Sequence, residues 1–187
     1  MDLLVSATSG IFLFLPALLP NSAAVLFGGG TPVDFGRSWR GKRILGDGKT
    51  WRGLVGGVSA GTSLGLLLAI LTMSLDASES WRWGLGLMPI GVVFSLSLGS
   101  LLGDMAGAFI KRRLGMERGQ KAPGLDQYDF VIGALGLTAL TYPAWLSAHY
   151  LSGEAVVALV ALLVFVPLLH RSVNIIGFKL GKKKEPW

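Results

Sequence analysis

The chain has 187 residues, of which 51% are hydrophobic and only 15% are charged. A soluble domain usually carries about 25% charged residues, so this composition excludes an ordinary soluble domain, a disordered chain, collagen and a coiled coil. The absence of cysteine excludes disulfides, thiolate metal sites and a cysteine nucleophile, and the net charge of +6 makes the placement of the basic residues informative.

Five apolar runs of membrane length follow one another along the chain. Since a transmembrane helix needs about 20 predominantly apolar residues, the runs predict an all-α integral membrane protein that forms one polytopic domain over 1–187. Two prolines and an asparagine interrupt the first run, so its second half is expected to be kinked or unwound. The predicted spans are 3–27, 54–75, 84–110, 130–150 and 154–178, and the predicted cytoplasmic loops are 28–53 and 111–129.

The basic residues fall on one side of this topology. Sixteen of the 17 lysines and arginines lie in 28–53, in 111–129 or near the C-terminus, and only Arg82 lies on the other side. The positive-inside rule therefore predicts a cell-membrane protein with its N-terminus outside and its C-terminus in the cytoplasm. Loops longer than about 15 residues are usually functional, so we expect an active site on the cytoplasmic side.

Glycines recur at four-residue spacing in the second and third runs. Such stripes let helices approach backbone to backbone, and they predict close packing either within the chain or across a homodimer. The stripes are Gly53, Gly57, Gly61 and Gly65, and then Gly99, Gly103 and Gly107.

Asp104 lies inside the third apolar run, about one and a half turns before its cytoplasmic end. A carboxylate at membrane depth costs about 2.5–3.5 kcal/mol on insertion scales, and such residues are functional by default. The alternative is a structural salt bridge with Lys111 or Arg112, because Lys111 lies on nearly the same face of the helix.

Asp126 and Asp129 lie at the mouth of the fourth run, with a spacing that puts them on one helix face. Alone, the pair is explained by the favourable position of acidic residues at a helix N-terminus. Together with Asp104 at the same depth, however, three carboxylates can converge. Oxygen ligands without histidine or cysteine select a hard cation, most simply Mg²⁺, which usually also binds substrate phosphates.

The first loop contains glycines and cations of the kind that bind phosphate. Its sequence GDGKT invites comparison with a P-loop, but Arg43 stands where the first glycine should be, and no strand precedes it. Lys49 and Thr50 remain candidates for contact with phosphate. Carboxylates for a metal beside cationic loops at a membrane surface suit phosphoryl or nucleotidyl transfer to a lipid.

Two stretches of the sequence resemble a known family. The run SLLGDMAGAFIKRRLGMERGQKAPGLDQYDFVIGAL resembles the C-terminal signature of the membrane cytidylyltransferases, the group that contains phosphatidate cytidylyltransferase, and GKTWRG (48–53) resembles their Lys-Thr-Trp motif. The short length and the block from Asn21 through GGGTPVDFG are similar to the archaeal branch. Gln127 stands where the bacterial pattern has arginine, and Leu125 follows Ala-Pro-Gly where that pattern has His-Gly-Gly, which puts a role for that arginine or histidine in doubt.

The resemblance implies a reaction in which CTP and 2,3-bis-O-(geranylgeranyl)-sn-glycerol 1-phosphate, an isoprenoid diether lipid phosphate, give a CDP-diether lipid and pyrophosphate. It implies Mg²⁺ as cofactor, the lipid bilayer as a partner and no nucleic acid. The implied catalytic residues are Asp104, Asp126, Asp129 and Lys111, with the three aspartates as metal ligands. The implied residues for CTP or lipid phosphate are Lys49, Thr50, Arg52, Arg112, Lys121, Arg43, Asn21 and Asp34.

Two other functions are open from the residues alone. A cation-coupled carrier would use Asp104 as its ion site and the interrupted first run as a broken transporter helix. Against it, no inverted repeat is visible, and the acidic residues lie near one surface rather than at the midplane. A structural membrane protein would tolerate Asp104→Asn, whereas an enzyme would lose turnover.

Overall fold

The computed structural model describes residues 3–75, 88–117 and 120–179 of the chain. This part is mostly helical, which confirms the predicted α-helical class. It also includes one short antiparallel hairpin just before GDGKT, where the sequence indicated no strand. A π-helical turn, Ser147–Leu151, and a 3₁₀ turn, Gly153–Ala155, connect the last two helices. The elements are α1 (Leu3–Phe27), β1 (Ser38–Trp39), β2 (Lys42–Arg43), α2 (Trp51–Leu75), α3 (Ile90–Arg113), α4 (Leu125–Thr141), α5 (Pro143–Leu146) and α6 (Val156–Lys179).

Several of these helices are long and apolar enough to cross a membrane. Within the described residues, α1, α3 and Trp51–Leu71 of α2 each meet that test. The segments Pro143–Leu151 and Gly153–Leu169 meet it together, but the chain bends by 78° between them. These findings indicate a multi-pass membrane protein, while the count of five spans and their orientation stay predictions.

The predicted fourth span, 130–150, is wrong as a single helix. The structure has α4 ending at Thr141, and Tyr142 leaves the helical conformation with φ −136° and ψ 58°. The cause is Pro143, because a proline disfavours helical geometry in the residue before it. The chain then resumes as α5 and the π-helical turn.

The loop predicted over 111–129 is shorter than expected. Helix α3 continues to Arg113 and α4 begins at Leu125, so Lys111, Asp126 and Asp129 lie on helices. At the other end of α3, residues 84–87 of the predicted third span lie outside the described residues. These three side chains therefore project from helices and not from a loop.

Helix α1 is continuous, so the predicted unwinding of its second half is wrong. Pro20 has no amide hydrogen, and the Pro16 carbonyl therefore lacks its usual helical donor. The Ser97 hydroxyl lies 3.2 Å from that carbonyl oxygen and is also within reach of the carbonyl of Val93. The Ser100 hydroxyl donates to the next carbonyl, that of Ala17, at 2.8 Å. Two serine hydroxyls of α3 thus bind backbone carbonyls of α1 beside its prolines.

The glycine stripes are used for packing within the chain. A Cβ atom on Gly61 would lie 2.6 Å from the carbonyl oxygen of Pro16 in α1. One on Gly99 would lie 2.5 Å from the carbonyl oxygen of Gly133 in α4. Real Cβ atoms essentially never approach within 3.0 Å, so only glycine allows these helices to come so close. Of the two alternatives, packing within the chain is the one that these glycines show, and a homodimer stays a prediction.

Candidate active site

Asp34 organises the first loop. Its carboxylate accepts hydrogen bonds from the amides of Gly36, Leu45 and Gly46 at 2.9–3.1 Å and from the Arg43 guanidinium at 3.0 Å. Burial alone would raise the pKa of Asp34, but these hydrogen bonds together hold that pKa well below its usual range. The side chain is 1% exposed, and its donors all come from the loop.

This geometry gives no support to the predicted substrate contacts of Asp34 and Arg43. The second arm of the Arg43 guanidinium pairs with Asp47 at 2.6 Å, so both of its terminal nitrogens are bound inside the loop. The two residues hold the loop in shape, and their contact with a substrate stays a prediction.

We expect Asp34→Asn to loosen the loop without unfolding the helices. Hydrogen bonds to a charged group are worth about 1.5–3 kcal/mol each, and the neutral amide loses that advantage. Because folding lowers the pKa of Asp34, its stabilisation is fully present above about pH 4 and is lost as the pH falls towards the folded pKa. Hydrogen exchange at Leu45 and Gly46 measures the change at neutral pH. The control is Asp47→Asn, which removes an exposed carboxylate; equal exchange in both variants would contradict the prediction.

The loop ends at the N-terminus of α2, where Thr50 acts as the cap. Its hydroxyl oxygen accepts the amide of Gly53 at 3.1 Å, and the neighbouring amide of Trp51 donates to the Thr31 carbonyl at 3.1 Å. The carbonyl of Lys49 accepts the amide of Val33 at 2.8 Å. The backbone of Lys49 is therefore fixed on both sides, and its side chain is aimed from a rigid position.

The Lys49 ammonium donates to the carboxylate of Asp104 in α3. The sequence offered Lys111 or Arg112 of the same helix as a structural partner for Asp104; the structure pairs it with a cation of the loop instead. Both side chains are about a quarter exposed, so the pair is partly accessible. Two predicted site residues that are far apart in sequence thus meet.

A second pair joins the end of α3 to the start of α4. Lys111 donates to Asp126 at 2.5 Å, and the other carboxylate oxygen of Asp126 accepts the amide of Ala122 at 2.8 Å. Arg112 donates to the carbonyl of Met116. The predicted catalytic residues Lys111 and Asp126 are therefore in direct contact.

Asp129 is buried against the glycines of α3. Its backbone carbonyl contacts Gly103, and a Cβ on Gly107 would collide with its carboxylate. One carboxylate oxygen accepts the amide of Phe130 at 2.6 Å, and the carboxylate is close enough to Asp104 for the two to repel each other. The sequence showed the glycine stripe but not that Gly107 makes the space for an acidic side chain.

A pocket opens beside the Lys49–Asp104 pair, between α1, the start of α2 and α3. It combines polar groups with an apolar wall, and the charged motifs of the sequence did not indicate that wall. Its lining residues are Asn21, Ala24, Val25, Gly48, Lys49, Thr50, Gly53, Leu54, Leu101, Asp104 and Met105.

The two remaining predicted cations are both exposed. Arg52 is exposed at the start of α2, where its side chain lies beside Gly30, and Lys121 is exposed between α3 and α4. Within 3–75, 88–117 and 120–179, no three His, Cys, Asp or Glu side chains converge closely enough to hold a metal. The predicted cluster of three carboxylates is therefore not assembled as these side chains stand, although the charges of Asp104 and Asp129 are close enough to interact.

Comparison with known proteins identifies the family. A family model described as "CarS-like: CDP-archaeol synthase" matches residues 1–187. The CDP-archaeol synthase of Methanoregula boonei is 49% identical over 92% of this chain and 99% of that protein. That of Halobacterium salinarum is 43% identical over 100% of both chains. A solved structure described as "Structural insight into an intramembrane enzyme for archaeal membrane lipids biosynthesis" shares 39% identity and a TM-score of 0.67, covering 88% of this chain and 92% of that one. The chain therefore belongs to the CDP-archaeol synthase family.

Proposed function

We propose that this chain is a CTP-dependent cytidylyltransferase of archaeal phospholipid biosynthesis. It transfers CMP from CTP to 2,3-bis-O-(geranylgeranyl)-sn-glycerol 1-phosphate and gives unsaturated CDP-archaeol and pyrophosphate. The observation that carries the proposal is the meeting of Lys49 with Asp104 and of Lys111 with Asp126 at one end of the bundle, in a chain of the synthase family.

The nucleophile in this proposal is the lipid's own phosphate. With a second pKa near 6, it is largely dianionic at neutral pH, so no protein base is needed. One of its oxygens forms a bond to the α-phosphorus of CTP, and the bond from that phosphorus to the β-phosphate oxygen breaks. The electron pair leaves with pyrophosphate, so no proton moves. Catalysis then consists of positioning and of stabilising charge.

The two lysines have a double role in this mechanism. In the structure, each neutralises one aspartate. When the triphosphate enters, we expect the Nζ atoms of Lys49 and Lys111 to exchange carboxylate oxygens for phosphate oxygens. That exchange would free the carboxylates of Asp104 and Asp126. It would also place the two ammonium groups beside the phosphate oxygens on which negative charge develops.

We also propose that the enzyme uses Mg²⁺. This ion is usually bound by one or two carboxylates together with substrate phosphates, and Asp104 and Asp129, whose charges are close enough to interact, fit that donor set, with Asp126 as a proposed third ligand. When bound, Mg²⁺ would neutralise the triphosphate and polarise the α-phosphate. The basic loops support a cytoplasmic active site, where CTP is available.

The experiment is CMP transfer from CTP labelled at the α-phosphate, with purified protein and with or without Mg²⁺. The acceptors are the geranylgeranyl diether phosphate and a diacyl phosphatidate. We expect a labelled CDP-lipid from the diether that requires the metal. Folded protein that labels neither acceptor would contradict the proposal and favour the carrier, an alternative that gains no support from the family match.

A further inference from the structure

The hairpin of the first loop is too short to be stable by itself. Its strands β1 and β2 have two residues each and are joined by Arg40 and Gly41, whose φ angles of 51° and 75° form a tight two-residue turn. An isolated hairpin with two strands is marginally stable at best in water. The shape of this hairpin therefore depends on support from elsewhere in the fold.

That support comes from Arg113, the last residue of α3. Its guanidinium donates to three backbone carbonyls of the hairpin, those of Trp39 at 2.6 Å, Lys42 at 3.0 Å and Arg43 at 2.7 Å. In return, the Lys42 ammonium lies 3.5 Å from the carbonyl oxygen of Arg113. The three carbonyls are bound by two terminal nitrogens of one rigid planar group, a geometry that the single nitrogen of a lysine does not reproduce.

Two aromatic rings complete the contact between the hairpin and α3. Trp39 stacks on Phe109 with the ring centroids 6.0 Å apart, and the Arg113 guanidinium lies 5.3 Å from the centroid of Trp39 and 5.2 Å from that of Phe109. Trp39 remains half-exposed. Cation–π contacts at exposed sites are weaker than hydrogen bonds from a charged group, so the carbonyl contacts carry most of the attachment.

The attached hairpin leads directly to Lys49. The short stretch between Arg43 and Lys49 is held by the Asp34 carboxylate, which accepts the amides of Leu45 and Gly46. Arg113 thus fixes to α3 the loop that carries Lys49, and Asp104 belongs to the same helix. In the proposed mechanism Lys49 leaves Asp104 for a phosphate oxygen, and the loop then loses that link to α3. The contacts of Arg113 do not depend on the exchange.

We propose that Arg113 is a positioning residue that holds the first loop on α3, so that Lys49 is presented to the triphosphate after it leaves Asp104. This inference rests on the proposed cytidylyl transfer. It separates Arg113 from its neighbour Lys111, because the guanidinium of Arg113 is used by the hairpin and acts on the reaction only through Lys49.

The first test compares Arg113→Gln and Arg113→Lys with Arg40→Gln in full-length protein without substrate. Arg40 is the matched control, since it lies 5.3 Å from the same Trp39 ring and its loss removes the same charge but none of the three carbonyl contacts. The reporter is the amide of Ile44, which donates to the Arg37 carbonyl at 3.1 Å. We expect its hydrogen exchange to be at least about tenfold faster in both Arg113 variants and unchanged in Arg40→Gln. Exchange within α2 should be unchanged in all three.

Steady-state kinetics separate positioning from a structural role. If the loop is held only part of the time, the apparent affinity for CTP falls by the fraction that is held. We expect the KM for CTP to rise at least about fivefold in both Arg113 variants, with a turnover number at saturating CTP within about twofold of wild type, because bound nucleotide restores the loop. A purely structural role would reduce the active fraction, which lowers the turnover number and leaves the KM unchanged.

Four results would overturn the inference while wild-type protein still transfers CMP. They are unchanged exchange at Ile44 in Arg113→Gln, equal effects in Arg40→Gln, a lower turnover number at unchanged KM, and full rescue by Arg113→Lys, which would indicate a charge that meets phosphate directly. Failure of the wild-type protein to transfer CMP would instead reject the proposed function. Exchange at Ile44 is measured without substrate, so the two failures are distinguishable.

Discussion

Asp104→Asn should lower the turnover number for CMP transfer by at least about 100-fold. The change removes the charge that Lys49 neutralises and that is close enough to Asp129 to interact with it, and removal of one group placed for the developing charge of a transition state typically costs about 10²–10³ in rate. The shape of the side chain is kept, and a neutral amide is cheaper than a carboxylate at membrane depth. The protein should therefore insert and fold as well as wild type. Initial rates with α-labelled CTP measure the loss.

The control for this prediction is Asp47→Asn. Asp47 has the same side chain in the first loop, but it is 68% exposed and pairs only with Arg43 in the described contacts. We expect nearly wild-type turnover. If Asp104→Asn kept its turnover and also melted at a higher temperature, Asp104 would be a structural charge, and the enzyme mechanism given above would be wrong.

Gly107→Ala should lower activity, although it adds only one methyl group to α3. A Cβ at this position would collide with the Asp129 carboxylate, and because the backbones of α3 and α4 are already in contact nearby, the helices cannot separate locally. We expect Asp129 to be displaced from Asp104, with a loss of turnover of about tenfold or more and a lower melting temperature. Steady-state kinetics and thermal melting in the same detergent test both.

Gly136→Ala is the matched control, because no atom lies within 4 Å of a Cβ placed there. Alanine favours a helix over glycine by about 1 kcal/mol, so this variant should be as active as wild type and as stable or slightly more stable. Equal losses in the two variants would show that the helices are sensitive to any added methyl, and would reject the specific role of Gly107.

The long apolar runs were enough to predict a bundle of membrane-length helices, because membrane burial requires continuous hydrophobicity. The same criterion could not predict the break at Tyr142, since the run stays apolar through it. Proline had the opposite outcome in α1, where Ser97 of another helix lies within hydrogen-bond distance of the carbonyl that Pro20 leaves without a donor. Whether a proline breaks a helix depends on its neighbours in space, and a single sequence does not contain that information.

In the candidate site too, the local sequence predicted some features, and others depend on how the helices pack. The unusual depth of Asp104 and the spacing of Asp126 and Asp129 are local properties, and they predicted which residues gather at one end of the bundle. The pairing of Lys49 with Asp104 and the filling of the space above Gly107 by Asp129 depend on helix packing. The resemblance implied Asp34 as a contact for CTP or lipid phosphate, and the sequence did not show that its carboxylate accepts amides of its own loop.

The pairing of Lys49 with Asp104 also bears on how the protein is made. Lys49 precedes Asp104 by 55 positions, so the ribosome completes the loop and α2 before the acidic helix emerges. An unpaired carboxylate in lipid is costly. We expect the Asp104 carboxylate to enter the bilayer after its partner Lys49 has been synthesised. The order of synthesis thus lets this helix be inserted with the charge compensation that the finished enzyme retains.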